Sequence, residues 1–415
     1  MKTVHGIAIM GGGPAGAALA THLKRSNHSV VLFEPQRRPP LIVGESLVPA
    51  LIPLLKDLGI EEEVAAVSTL KPGATFYSHP DQSVSFIFSR AGRGSPNYAY
   101  NTPRNSFDEI VLRNAERCGV PISKGRAGIE LDPSSGEPRL DPKTLAMWRS
   151  LTGSDAPDLI VDASGRSRTL AKLLGLPSWE GSRKDAALFA HLSSTELPHE
   201  GHIHINRLSR GWSWRIPLPG KVSVGVVIPA AALEAYGDTA EQQYDTLCRT
   251  EPTLASFVQG AERLTPVMKY SNYQLASHRW VGSSWALLGD AGGFIDPIFS
   301  SGLLLALEGA AELAHAITDG WDRNAQRYEK TMERKLAAWR SLIESFYDGR
   351  MFSLFRLKRI YADSKLLRYA SHLVDQQLAL ALSGVAPASK HRLWLLSLIL
   401  RQLHVSGKQF RLKIA

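Results

Sequence analysis

His5-Gly6-Ile7-Ala8-Ile9-Met10-Gly11-Gly12-Gly13-Pro14-Ala15-Gly16 stands at the head of this 415-residue chain. Residues 5–10 are short and apolar, the pattern of a buried strand. The glycines that follow permit a tight turn and a close backbone approach, and Pro14 suits the first turn of a helix. Ala17-Ala18-Leu19-Ala20-Thr21-His22-Leu23 then favours that helix, and Ser29-Val30-Val31-Leu32-Phe33 a second strand ending in Glu34. Strand, glycine turn, helix, strand and terminal acid make a nucleotide-binding unit. The helix N-terminus offers N–H groups and positive dipole to a pyrophosphate, and Glu34 can accept hydrogen bonds from a ribose. Gly11, Gly13, Pro14, Ala15, Gly16 and Glu34 are therefore candidate cofactor-binding residues.

A second half of the site lies far downstream. Trp285-Ala286-Leu287-Leu288-Gly289-Asp290 reads as a buried strand ending in Gly289-Asp290, which places a carboxylate on a second sugar such as ribityl. Ser301-Gly302-Leu303-Leu304-Leu305 opens a helix whose free N–H groups face whatever lies beyond the strand ends. Two such widely spaced halves suit FAD better than NAD. Leu159-Ile160-Val161-Asp162-Ala163-Ser164-Gly165 is a third buried strand whose small end can pass close to a cofactor. Alternating stretches, Ser83–Phe88 and Lys221–Val227, read as strands of an antiparallel sheet. The expected fold is α/β: a Rossmann-like FAD-binding domain with an inserted antiparallel β-sheet substrate domain and a C-terminal helical region. The FAD-binding domain takes residues 1–70, 101–172 and 276–330, the substrate-side sheet 71–100 and 173–275, and the basic helical region 331–415.

Hydrophobic residues make up 44% and charged residues 21%, which fits a globular protein with a large core. The two cysteines, Cys118 and Cys248, support neither a disulfide framework nor a zinc site, so a reducing cytoplasm is the expected setting. The first ten residues run into the glycine turn too soon for a signal peptide, and no apolar run reaches the ~18 residues of a membrane span. The net charge of +9 is a property of the tail, because residues 350–415 hold 12 Lys/Arg against 2 Asp/Glu. Nucleic-acid binding is not expected, since no motif for it accompanies the basic charge.

One further stretch stands out: Trp212-Ser213-Trp214-Arg215-Ile216-Pro217. On a strand, residues two apart share a face, so Trp212 and Trp214 form one broad apolar wall. Pro217 ends that strand or holds its edge. On residue chemistry alone this is a packed core or interface strand.

The first glycine loop, the Arg104-x-x-Phe107-Asp108 pattern, the Asp162-Ala163-Ser164-Gly165 strand end and the late Gly289-Asp290 together resemble the FAD-dependent monooxygenase superfamily with a p-hydroxybenzoate-hydroxylase-type fold. Within it, three features resemble the flavin-dependent halogenases. These are Trp-x-Trp-x-Ile-Pro at Trp212–Pro217, the Phe-x-x-Pro-x-x-Ser-x-Gly spacing at Phe294–Gly302, and Lys71-Pro72-Gly73-Ala74-Thr75-Phe76, which matches the loop carrying that family's catalytic lysine. Gly44-Glu45-Ser46 is also typical. The resemblance runs from about residue 5 to residue 320.

It implies reduced FAD, oxygen and chloride or bromide, which together give hypohalous acid. It assigns catalysis to Lys71, whose amine would donate a hydrogen bond to that acid or form a haloamine with it. It places the halide at the backbone of Ser301 and Gly302, a helix N-terminus free of acidic side chains. Ser46, Arg104, Gly289, Asp290 and Pro297 join the cofactor contacts. Trp212, Trp214, Ile216, Pro217 and Phe299 make a barrier between flavin and substrate pocket. Tryptophan halogenases carry a glutamate where this chain has Phe299, so a phenol-like or pyrrole-like ring, free or tethered to an acyl carrier protein, is the expected substrate rather than free tryptophan. With no second nucleotide loop, a separate flavin reductase is the expected partner. An aromatic hydroxylase or prenyl-chain reductase of the same fold, and a flavin-binding protein without turnover, remain open alternatives. Three readings fit the basic tail: a helical cap over the pocket, a docking surface for an acidic carrier protein, and peripheral attachment to an anionic membrane at the inner membrane face.

Overall fold

The computed structural model describes residues 4–352 apart from 36–38, 93–94 and 194–195, together with 376 and 378–385; the side chains of 272 and 273 are not described. The three readings of the basic tail concern residues almost wholly outside this set.

Five parallel strands form the first sheet, in the order Trp285–Leu287, Leu159–Asp162, Gly6–Met10, Ser29–Glu34 and Ile122–Lys124. Their apolar runs are continuous because the sheet is covered on both faces: Ile7, Ile9, Val31, Leu32 and Val161 are fully buried. The helix Pro14–Arg25 returns from the first strand to the second, and it packs against the long helix Ser301–Thr318. This is the Rossmann-type unit that the glycine turn announced.

The second sheet has eight strands. Their order is Gly293–Phe294, Met268–Ser277, Ser178–Ser193, Lys221–Pro229, Trp212–Leu218, Ile203–Arg207, Gly73–His79 and Gln82–Ile87. All neighbours are antiparallel except Ile203–Arg207 and Gly73–His79, which run parallel. That parallel pairing joins the segment around residues 73–87 to the later strands. Alternation divides the sheet's faces. Ala187, Phe189, Trp212, Trp214 and Ile216 face the main core. Ala186, Leu188, Val224 and Val226 face a second core under the helices Ala240–Thr250 and Pro252–Val258.

Two details differ from the expected boundaries. Gly293–Phe294 leaves the 276–330 stretch to form the edge of the antiparallel sheet. The helix Trp321–Tyr347 runs across residue 330, because its apolar face buries Trp339, Leu342, Ile343 and Phe346 in the main core. Among the described residues, no helix is long and apolar enough to cross a membrane.

Candidate active site

A cleft of about 580 Å³ opens at the carboxyl ends of four parallel strands. Its wall includes Met10, Gly11, Gly13, Pro14 and Ala15 from the glycine turn, Glu34 from the second strand end, Ala163 and Ser164 from the third, and Leu288 and Asp290 from the fourth. Gly11 has φ +105°, and a Cβ there would lie 2.5 Å from the Ala163 carbonyl oxygen, so only glycine fits. Gly16 does not face the cleft; a Cβ on it would meet the Gly11 carbonyl at 2.0 Å, so it serves the packing of helix on turn. Gly13 does face it, and no atom lies within 4 Å of where its Cβ would stand.

Glu34 accepts a hydrogen bond from the Gly12 N–H, which brings its carboxylate onto the turn. Asp290 sits across the cleft, and burial lifts its carboxyl pKa to about 6 against the pull of Arg104 and Arg166. Arg104 also lines the cleft, gripping both Asp108 oxygens at 3.0 and 3.3 Å and donating to the Val43 carbonyl. Ser46 and Pro297 complete the cofactor candidates on the wall, whereas Gly289 packs behind it, near Ala15.

The second helix N-terminus arrives from the other side. Ser300, at φ +56°, turns the chain into the helix Ser301–Thr318, whose first turn holds no acid. Gly302 lines the cleft with open space where a side chain would be, but Ser301 is buried and stands off it. The residues therefore fit an extended dinucleotide. Two helix N-termini converge on one cleft, two glycines leave room for close approach, and two carboxylates stand at strand ends.

Lys71 is not on the cleft wall. It closes the short strand Thr69–Lys71, which pairs with Ala99–Asn101, rather than lying in a loop. Its amine is buried at 3% exposure, donates to the Leu47 carbonyl at 2.8 Å and stands 5.4 Å from the Phe88 ring centre. Burial pulls its pKa down to about 7. Leu47 belongs to a strap whose Val43, Gly44 and Ser46 line the cleft, so the residue that holds the amine is next in sequence to one on the cleft wall. Glu45, on the same strap, pairs with buried His191 at 2.8 Å and ties the strap to the antiparallel sheet.

Trp212 and Trp214 do share a face, with ring centres 5.7 Å apart, and both are buried. The strand continues through Pro217 to Leu218. Its other neighbour, Ile203–Arg207, pairs only with Trp212–Arg215, so Pro217 meets an open edge and does not break the sheet. An arc of rings runs from the cleft through this wall. Tyr270, on the cleft wall, lies 5.9 Å from Phe189; Phe189 lies 5.8 Å from Trp214; Trp212 meets Phe346 at 6.5 Å, and Phe346 meets Phe299 at 5.9 Å. Phe299 in turn lies between Pro297 and the cleft-lining Ser300. Ile216 is buried in the same core, while Trp212, Trp214, Ile216, Pro217 and Phe299 all stand off the cleft wall itself.

Sequence reasoning missed the supports of this wall. Trp214 lies directly over Gly225, its cross-strand partner, where a Cβ would meet the indole at 2.1 Å. A glycine inside the apolar run Val222–Ile228 was the available signal for such a close approach. Tyr347 and Phe346 gave no comparable signal, because they come from a helix distant in sequence.

A cleft fitted to a dinucleotide at the carboxyl ends of a parallel sheet, backed by a wall of aromatic rings on an antiparallel sheet, defines a two-sheet protein of Rossmann type. The family model described as tryptophan halogenase matches residues 6–96 and 89–351, and the chain belongs to that family. It is 30% identical over 350 residues to the flavin-dependent halogenase armH4 of Armillaria mellea, covering 75% of this chain and 64% of that one. It is 27% identical over 380 residues to the 1H-pyrrole-2-carbonyl-[peptidyl-carrier protein] chlorinase of Pseudomonas fluorescens, covering 82% of this chain and 83% of that one. The chain spans just under two thirds of the length of armH4 and of the flavin-dependent halogenases rdc2 of Metacordyceps chlamydosporia and gsfI of Penicillium aethiopicum. A solved flavoprotein/dehydrogenase from Cytophaga hutchinsonii shares the fold, with a TM-score of 0.81 at 24% identity over 97% of this chain and 99% of that one.

Proposed function

We propose that this protein is a FAD-dependent halogenase acting on an electron-rich aromatic ring. Bound FAD, reduced by a separate flavin reductase, would supply with oxygen the oxidising equivalents that turn chloride or bromide into hypohalous acid. The chain's own residues bind, orient and exclude. Gly11, Gly13, Pro14 and Ala15 cradle the pyrophosphate, with Gly16 behind them; Glu34 and Asp290 take the sugars; Ser46, Arg104, Gly289 and Pro297 complete the cofactor site. The backbone at Ser301 and Gly302 receives the halide, at a helix N-terminus with no acid in its first turn. Trp212, Trp214, Ile216, Pro217 and Phe299 keep the cofactor side apart from the substrate side.

The observation that carries this reading is Lys71. A buried amine with a pKa near 7 is unusual in a structural lysine, and this one is held against the strap that lines the cleft. Near neutral pH the ammonium can donate a hydrogen bond to hypohalous acid, and the free amine can take its halogen with loss of water. Either route delivers an electrophilic halogen from a fixed point. At position 299 a phenyl ring packs on Phe346, so this position offers no carboxylate to assist an indole. The substrate would bring its own activation, as a phenol or pyrrole does. The pyrrole chlorinase among the relatives, named for a carrier-bound substrate, supports a carrier-tethered ring, with a free ring as the other form to test.

The test incubates the protein with FAD, a flavin reductase, and chloride or bromide, over a panel of phenols and pyrroles, free and carrier-bound. Halogen isotope patterns in the product masses are expected. Products carrying only one added oxygen would overturn the proposal in favour of a hydroxylase.

A further inference from the structure

Tyr347 ends the helix Trp321–Tyr347 deep in the core. Its hydroxyl accepts a hydrogen bond from the Trp212 indole N–H at 2.7 Å and donates one to Asp296 Oδ2 at 3.1 Å. Burial pushes its pKa well above the ordinary value, so it remains a neutral donor. The Arg183 guanidinium lies over its ring. Asp296 is itself buried, and its other oxygen accepts from the Ile298 N–H at 3.0 Å. That carboxylate thus shapes the turn leading through Ser300 into the helix at Ser301.

We propose that Tyr347 is a positioning residue that locks the tryptophan wall to the turn preceding the halide helix. One hydroxyl joins the strand Trp212–Leu218 to the turn that follows the edge strand Gly293–Phe294, two parts of the site that lie far apart in sequence. A hydrophobic contact could hold Trp212 in the core but would not fix the ring's rotation; a hydrogen bond to Nε1 does. The same hydroxyl fixes one oxygen of Asp296, and through it the backbone that presents Gly302 to the cleft. Wall and halide helix therefore keep one mutual geometry, and loosening one loosens the other. The inference rests on the halogenase reading for its consequence, though not for its contacts.

The test is Tyr347→Phe in the full chain, which keeps the ring and removes the shared hydroxyl. Two readouts are taken. The Trp212 indole N–H resonance, assigned by its loss in Trp212→Phe, is followed by NMR in the FAD-bound protein. Bromide affinity is read from the perturbation of the flavin absorption spectrum, and bromide KM from turnover with product and released hydrogen peroxide both counted. Losing one hydrogen bond to a charged group is expected to weaken bromide binding by roughly tenfold, to move the indole resonance, and to raise the peroxide released per product. If Tyr347→Phe does not fold, Asp296→Asn, which keeps size and removes the charge, is expected to move the same readouts in the same direction. A variant whose indole resonance moves while bromide affinity, KM and peroxide release stay at wild-type values would overturn the inference and leave Tyr347 a packing residue. Wild-type protein that takes neither bromide nor chloride would instead overturn the halogenase reading, and this inference with it.

Discussion

Replacing Lys71 with methionine keeps the unbranched apolar stem of the side chain and removes its amine. In the folded protein burial brings that amine from an ordinary 10.5 to about 7. At about 1.4 kcal/mol for each tenfold change in proton affinity, this is roughly 5 kcal/mol of penalty on the charged form. The sign follows from linkage. The unfolded lysine keeps its proton up to about pH 10.5 and the folded one only to about pH 7, so the wild-type protein gains stability as pH rises between those values. Below about pH 7 the penalty is fully present, and Lys71→Met removes it. The Leu47 carbonyl then loses its donor, which costs about 1–3 kcal/mol. The net expectation is that Lys71→Met is about 2–4 kcal/mol more stable than wild type near pH 6. The more secure quantity is the change with pH, because the lost hydrogen bond cancels from it: the gap should narrow by roughly 2–3 kcal/mol between about pH 6 and about pH 9. Urea unfolding of both proteins across that range, followed by far-UV circular dichroism, measures it. A gap independent of pH, or one that widens towards alkaline pH, would refute the reasoning. The same variant should bind FAD normally and yield no halogenated product, so a gain in stability would accompany the loss of chemistry.

Three further outcomes follow from the geometry. Gly225→Ala puts a methyl 2.1 Å from the Trp214 ring, so it should cost about 1–3 kcal/mol in urea unfolding and shift the tryptophan emission; an unchanged midpoint would place the indole elsewhere. Gly13→Val projects a side chain into open cleft, so FAD binding by fluorescence titration should weaken at least about tenfold while the stability of the cofactor-free protein changes by under about 1 kcal/mol. Asp290, held at about 6 by burial, should be ionised at neutral pH and accept from sugar hydroxyls; FAD affinity should then fall as pH drops below about 6, and an affinity that is flat or rises in acid would remove Asp290 from the cofactor site.

Local chemistry makes half of this site legible in the sequence alone. A glycine turn between an apolar strand and an alanine-rich helix has few other uses, and Gly11, whose Cβ would strike Ala163, shows why the residue type was informative. The periodicity of two placed Trp212 and Trp214 on one face without further help. The far-apart glycine turn and Gly289-Asp290 could be paired because each ends an apolar strand; what could not be read were the side-chain contacts made across the fold. Lys71 carries no mark in the sequence of its burial, which arises because the strap at Val43–Leu47 lies across it and Phe88 packs nearby. Tyr347 lies in a helix whose pattern of large apolar residues marks only a buried face. Its hydroxyl acquires a role solely because the helix ends where Trp212 and Asp296 come within reach. The two kinds of residue answer to different physics. Backbone requirements restrict residue type at a given position, so they leave a legible trace. A hydrogen bond between distant segments restricts only the pair, and either member alone looks ordinary. In this protein the cleft is built mainly by the first kind of constraint and the wall's orientation by the second, so a substitution at the wall can keep the family motif intact and still alter what the site does.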